Sequence, residues 1–94
     1  MALGHIDLTI GATTTQVSST RIPCMWVSIL PPANDAYVGE SAAVTSSLYG
    51  YKLAGAGTVP LIIGGNGPRE IVSLHEIWIN GTQNNVVHIL YCTL

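Results

Sequence analysis

Charge is what this chain has least of. Only 9% of its 94 residues are Asp, Glu, Lys or Arg, against about a quarter in an average soluble domain. Arg21, Lys52 and Arg69 are the whole basic complement, and the formal net charge is -2. Nucleic-acid binding draws on several Lys and Arg contacts to phosphate, which three scattered cations cannot supply. Neither nucleic acid nor an anionic membrane surface is therefore expected as a partner. Disorder is excluded from the other side, because 48% of the chain is hydrophobic and disordered segments combine low hydrophobicity with high charge. Two surfaces satisfy both facts: one made of Thr, Ser, Asn and Gly, or one covered by further subunits. The second, a homo-oligomer, is the expectation.

Long apolar runs are absent too. None approaches the roughly 20 residues that a membrane helix needs; the longest are broken at Pro31-Pro32 and at Gly64-Gly65. The opening MALGHIDLTIGATT has no basic region, and Asp7 interrupts its apolar part, so it does not read as a signal peptide. Assembly in a cytoplasm is expected. Cysteine is scarce: Cys24 and Cys92 stand near opposite ends of the chain, where a secreted scaffold of this size would carry more. Both fall in apolar strand-like runs, CMWVSIL and VVHILYC. They are expected as buried free thiols, with a disulfide between them as the alternative.

Reactive motifs are missing as well. There is no Gly-x-Ser-x-Gly elbow and no Cys-x-x-Cys; His75-Glu76 begins a His-Glu-x-x-His that does not continue. Asp7, Asp35, Glu40, Glu70 and Glu76 are dispersed over unrelated segments, as are His5, His75 and His88. The glycines from Gly55 to Gly67 lack the Gly-Lys-Ser/Thr ending of a phosphate loop and open no helix. Asn80-Gly81-Thr82 matches a glycosylation acceptor, a match without content in the absence of a secretory signal. No enzyme activity, metal or cofactor is expected.

What is present is β pattern. His5 to Ile10 alternates strictly, with Ile6, Leu8 and Ile10 on one face and His5, Asp7 and Thr9 on the other, the period of a half-buried strand. Thr13 to Thr20 is polar and β-branched, an extended arm or an edge strand, so residues 1–22 form a candidate N-terminal arm. Cys24 to Leu30 is apolar on both faces and reads as a central strand, with Trp26 in the core. Pro31-Pro32 stops it, and Asn34-Asp35 supplies a turn.

Ala36 to Glu40 is a short strand, and Ser41 to Tyr49 is ambiguous. Gly50 to Leu53, a turn at Ala54 to Gly57, and the apolar Thr58 to Ile63 follow; Pro60 suggests an edge or a bulge. Gly64 to Pro68 is a loop. Ile71 to Leu74 is short and apolar, His75 to Asn80 alternates, Asn80-Gly81 signals a hairpin turn, and Val86 to Thr93 closes the chain. These segments predict a single all-β domain over residues 1–94, a small β-sandwich or jelly-roll-like barrel of about seven or eight short strands.

Trp78 shares its strand face with Glu76 and Asn80, opposite Ile77 and Ile79. If the isoleucines face the core, Trp78 points outward as an interface anchor or a sugar-stacking platform; if both faces are covered, it is core. Tyr49 and Tyr51 share a face if their segment is extended. With Trp78 they are the candidate interface residues.

The order of these segments resembles a group of small β-rich structural proteins of tailed bacteriophages. The resemblance runs from the Thr-rich stretch at Thr13 through Cys24-Met25-Trp26-Val27-Ser28-Ile29, Tyr37-Val38-Gly39 and Gly50-Tyr51-Lys52-Leu53. It continues through Leu74-His75-Glu76-Ile77-Trp78-Ile79-Asn80-Gly81-Thr82 to the last apolar strand. It implies a virion component without a catalytic site: a capsid-decorating or cement protein, often trimeric, whose partners are further copies of itself and the major capsid protein. The alternative is a small tail or fibre module that binds a receptor or glycan.

Overall fold

The computed structural model describes residues 2–65 and 71–94. The strands, in chain order, are β1 (Leu3–Thr9), β2 (Thr15–Gln16), β3 (Pro23–Leu30), β4 (Ala36–Gly39), β5 (Tyr51–Leu53), β6 (Leu61–Gly64), β7 (Val72–Ser73), β8 (Trp78–Gly81) and β9 (Val86–Thr93). A single 3-10 turn, Leu74–Glu76, stands between β7 and β8. The all-β expectation holds. The larger sheet runs β1-β9-β3-β6, with β7 also on β3; the smaller runs β2-β8-β4-β5. Since β6 pairs with Trp26 to Ile29 and β7 with Pro23 and Cys24, the two occupy successive lengths of one edge. Counting them as one place, the chain changes sheet at every connection except β4 to β5, which is the strand order of a jelly roll.

Alternation explains which residues meet between the sheets. Val27, Ile29, Val87 and Ile89 come from the large sheet; Ala36, Val38, Leu53 and Ile79 come from the small one, and all are buried. Ile10, Val17, Leu74 and Ile77 complete the core from the links. Burying such side chains contributes about 1.5–3 kcal/mol each.

Several expectations are corrected. Residues 3–9 pair with β9 along their whole length, Thr15 and Gln16 pair with β8, and Val17 donates its N–H to Ile77 O at 2.9 Å. That part of the chain belongs to the two sheets and is no arm. In β3 the register slips between Cys24 and Trp26. This bulge puts Cys24 on the same inward side as Val27 and Ile29, while Trp26 keeps the outward side that it shares by alternation with Ser28 and Leu30; it is half-buried and not core. Asn80-Gly81 is no hairpin turn: Gly81 ends β8 opposite Ala36. A Cβ there would come within 3.0 Å of Ile10 Cδ1 and 3.3 Å of Ala36 Cβ, so this glycine answers to packing. The reversal falls at Thr82 to Asn85, where Asn84 takes a left-handed φ of 73°, and it carries the chain from one sheet to the other.

Pro60 precedes β6, which is indeed an edge strand. Gly64 has a φ of +83°, and a Cβ there would run into Met25 O, so both the conformation and the space favour glycine. Gly65, with a φ of 84° and its N–H donated to Met25 O at 3.0 Å, begins the expected loop; the remainder, Asn66 to Pro68, with Arg69 and Glu70, lies outside the described residues.

Candidate functional site

A two-sheet sandwich has two outer faces, and here they differ. The outer face of the small sheet is roofed by the chain itself. Between β4 and β5 the segment 40–50 folds back over it, and Val44, only 3% exposed, seats a methyl on Gly39 where a side chain would stand. Thr14 Oγ1 donates to Val44 O at 2.6 Å and accepts from Asn80 Nδ2 at 3.2 Å, pinning the roof. Tyr49 packs on Tyr37 with ring centroids 4.9 Å apart. An isolated bridge between Thr45 and Leu48 closes the tip, which resolves the ambiguous Ser41–Tyr49 stretch as a turn.

The three candidate interface aromatics separate in this arrangement. Trp78 lies on the outward side of β8, between Gln16 and Gly39 in the register, and is half-buried. Tyr49 belongs to the roof and is exposed. Tyr51 is opposite Val38 on the inward side of β5, yet 51% exposed, because it stands at the open seam between edge strands β5 and β6. Tyr49 and Tyr51 therefore do not share a face. That seam forms an apolar cleft of about 350 Å³ lined by Tyr51, Leu61, Ile63, Val72 and Ile77.

The outer face of the large sheet has the opposite character. Its cross-strand rows read Leu3, Cys92, Trp26; then His5, Leu90, Ser28, Ile62; then Asp7, His88, Leu30; then Thr9, Val86. Leu3 is 68% exposed, Ile62 56% and Leu90 44%, with Leu30 and Val86 exposed beside them. A shallow depression of about 450 Å³ crosses the middle of the face. Exposed apolar residues gathered on one face of a small domain are the kind of surface that marks an interaction site. Polar residues are interleaved with them: His5, Ser28, Thr9 and the pair at one side, where His88 Nδ1 lies 2.8 Å from Asp7 Oδ1. That hydrogen bond holds the Asp7 carboxyl below its ordinary pKa, so Asp7 is ionised at neutral pH.

Ser28, His88 and Asp7 share the depression, and the residue types are those of a hydrolytic triad. The geometry is not. No hydrogen bond joins Ser28 to His88 among the described residues. Ser28 lies in a strand paired on both sides, opposite Leu90 and Ile62, so its backbone amides are spent in the ladder and offer no oxyanion site. Both cysteines are free and buried, and burial, with Cys92 nearby, pushes the Cys24 thiol pKa up, away from a reactive thiolate. No group of three His, Cys, Asp or Glu side chains that could hold a metal occurs among the described residues. The face offers contact area and shape.

The two apolar faces of Cys24 to Leu30 suggest a central strand buried on both sides, whereas the structure covers only one of them. The signal was present: CMWVSIL, LII and VVHILYC each spend apolar residues on a second face. Among the described residues, the segment 40–50 roofs the outer face of the small sheet, and no counterpart lies over the large one. No family model, no curated protein and no solved structure matches this chain.

Proposed function

We propose that this protein is a structural subunit of a tailed-bacteriophage virion, a capsid-decorating or cement protein that acts by covering neighbouring shell subunits. The observation that carries this reading is the bare apolar outer face of the large sheet on a chain with so few charges. A sheet with apolar residues on both sides is stable in water when both sides are covered, and obligate interfaces resemble a domain core cut in two. Jelly rolls recur in viral capsid proteins, a fold-level analogy that agrees with the sequence resemblance but carries less weight than the face. The partner is the major capsid protein, and the work done is burial of apolar area across the shell, resisting pressure from within.

The test uses Leu90→Lys and Ile62→Glu. Both side chains point away from the core, so thermal stability of the purified variants should stay within about 0.5 kcal/mol of the wild type. Their loading onto phage particles should collapse, measured by stained-gel densitometry against the major capsid protein. Wild-type protein at shell-like copy number with empty variant particles supports the reading. Variants that load as well as the wild type overturn it. So does wild-type protein absent from heads but bound to host cells or glycans, which would assign the chain to the tail.

A further inference from the structure

Sheet edges are ready templates for a further strand, and natural proteins blunt them with shortness, Lys, Pro or bulges. Three of the edges here are blunted in this way. On the small sheet, β2 has two residues and β5 three, one of them Lys52. On the large sheet β6 has four, preceded by Pro60. The fourth edge, β1, is different. It runs seven residues, Leu3–Thr9, with Asp7 as its one carboxylate and without Lys or Pro, and its register with β9 is unbroken from Leu3 to Thr9.

The backbone groups on that edge can be assigned. Ala2 O accepts from Thr93 N, and Ile10 N donates to Asn85 O. Alternate residues of an antiparallel strand bond to the same neighbour, so Gly4, Ile6 and Leu8 bond to β9. The N–H and C=O of Leu3, His5, Asp7 and Thr9 point outward. None of these four makes a backbone hydrogen bond outside the β1–β9 ladder among the described residues.

We propose that two copies of this chain pair antiparallel along β1, in register about Ile6, so that His5 of each faces Asp7 of the other and the two large sheets become one. The register follows from charge and hydrogen bonding together. Antiparallel pairing centred on Ile6 sets Leu3 against Thr9 and His5 against Asp7, each twice by symmetry, and uses every outward group. Sliding by two residues loses one such pairing. It also sets His5 against His5 or Asp7 against Asp7, so that the imidazole–carboxylate hydrogen bonds of the first register are lost, and two Asp7 carboxylates directly opposite destabilise a sheet. His5 and Asp7 point to the same exposed outer face, and Asp7 engages His88 through Oδ1, leaving Oδ2 toward the second copy. On the inner side Ile6, half-buried at the open end of the core, gains Ile6 of the second copy directly opposite, and Leu8, opposite Gly4 of that copy, gains its Ile6 on the diagonal. A contact of this kind is isologous and closes as a twofold pair; by itself it makes no trimer.

The pairing is read on purified protein, so its outcome is independent of the virion assignment. Sedimentation across micromolar to millimolar concentrations should show a monomer–dimer equilibrium for the wild type. His5→Asp sets Asp against Asp7 twice and should weaken the dimer about ten-fold or more; Asp7→Lys, which sets Lys against His5, should weaken it likewise. Mixed in equal amounts, the two variants should recover a heterodimer, since Asp at position 5 of one then meets Lys at position 7 of the other. Ile62→Glu, on the face rather than the edge, should leave the dimer unchanged, and circular dichroism checks that each variant folds. A wild type that is monomeric throughout or trimeric, single variants that associate as tightly as the wild type, or a mixture no tighter than its components would each overturn the proposal.

Discussion

Val44 and Gly39 together test the contrast between a roofed face and a bare one. Val44→Ala removes two methyl groups from a site that is 3% exposed. At about 0.8 kcal/mol for each buried group the loss is roughly 1.6 kcal/mol, rising to about 2.5 kcal/mol if the cavity does not collapse. Gly39→Ala puts a methyl where the Val44 Cγ2 atom now sits. Overpacking of this kind costs about 1–3 kcal/mol, less about 0.4–1 kcal/mol regained because alanine restricts the unfolded chain.

The double variant is the informative one. The methyl introduced at position 39 occupies the space that the valine methyls vacate, so the cost of the double variant should fall at least about 1 kcal/mol short of the sum of the single ones. Urea unfolding of the four proteins measures the cycle. Thermal unfolding should follow it, at about 4–8 °C for each kcal/mol in a domain of this size. Additivity to within about 0.5 kcal/mol would mean that Val44 does not rest on Gly39. The small sheet would then be as uncovered as the large one, and the reason for choosing the large face would be gone.

Two further measurements address the electrostatics and the thiols. Asp35 Oδ1 accepts the Gly55 N–H at 2.7 Å and Oδ2 lies 3.4 Å from Lys52 Nζ; the Gly55 amide first, then Lys52, hold its carboxyl below the ordinary range. A folded-state pKa that is depressed contributes stability that is complete above the ordinary value near 4 and disappears as pH falls through the folded value. Asp35→Asn should therefore lower the urea midpoint at pH 7, with the gap to wild type closing in acid; a gap that does not change with pH refutes the assignment. Cys24 and Cys92 should resist a water-soluble disulfide reagent in the native protein and react once it is unfolded. Native labelling at the rate of a free small thiol would show that one of them is accessible.

Period-two alternation was enough to identify β1 and β8, since each strand shows the core one side only and the apolar residues take it; β4 and β9 were legible only as apolar strand-like segments. Pro31-Pro32 ended β3 because proline has no amide to donate, and a bend followed at Ala33-Asn34, one residue before the expected Asn34-Asp35. The jelly-roll order was beyond local reading: β1 lies beside β9 and β3 beside β6, partners far apart in the chain. The bulge at Met25 was equally hidden, because a slip of one residue leaves no local mark in a run that is largely apolar, yet it moves Cys24 inward. Asn80-Gly81 misled for a related reason. The pair has turn chemistry, but Ile10 and Ala36 crowd against Gly81, and close packing needs the missing side chain as much as a turn needs the free φ.

Composition and alternation thus determined an all-β chain, poor in charge, with apolar residues to spare for an exposed surface. Which surface that would be lay with the tertiary structure, because burial is a property of what stands opposite a residue. The segment between β4 and β5 has Val44 to set into the gap at Gly39 and therefore lies over the small sheet. Leu3, Leu90 and Ile62 have no such segment opposite them among the described residues, and they are left facing outward.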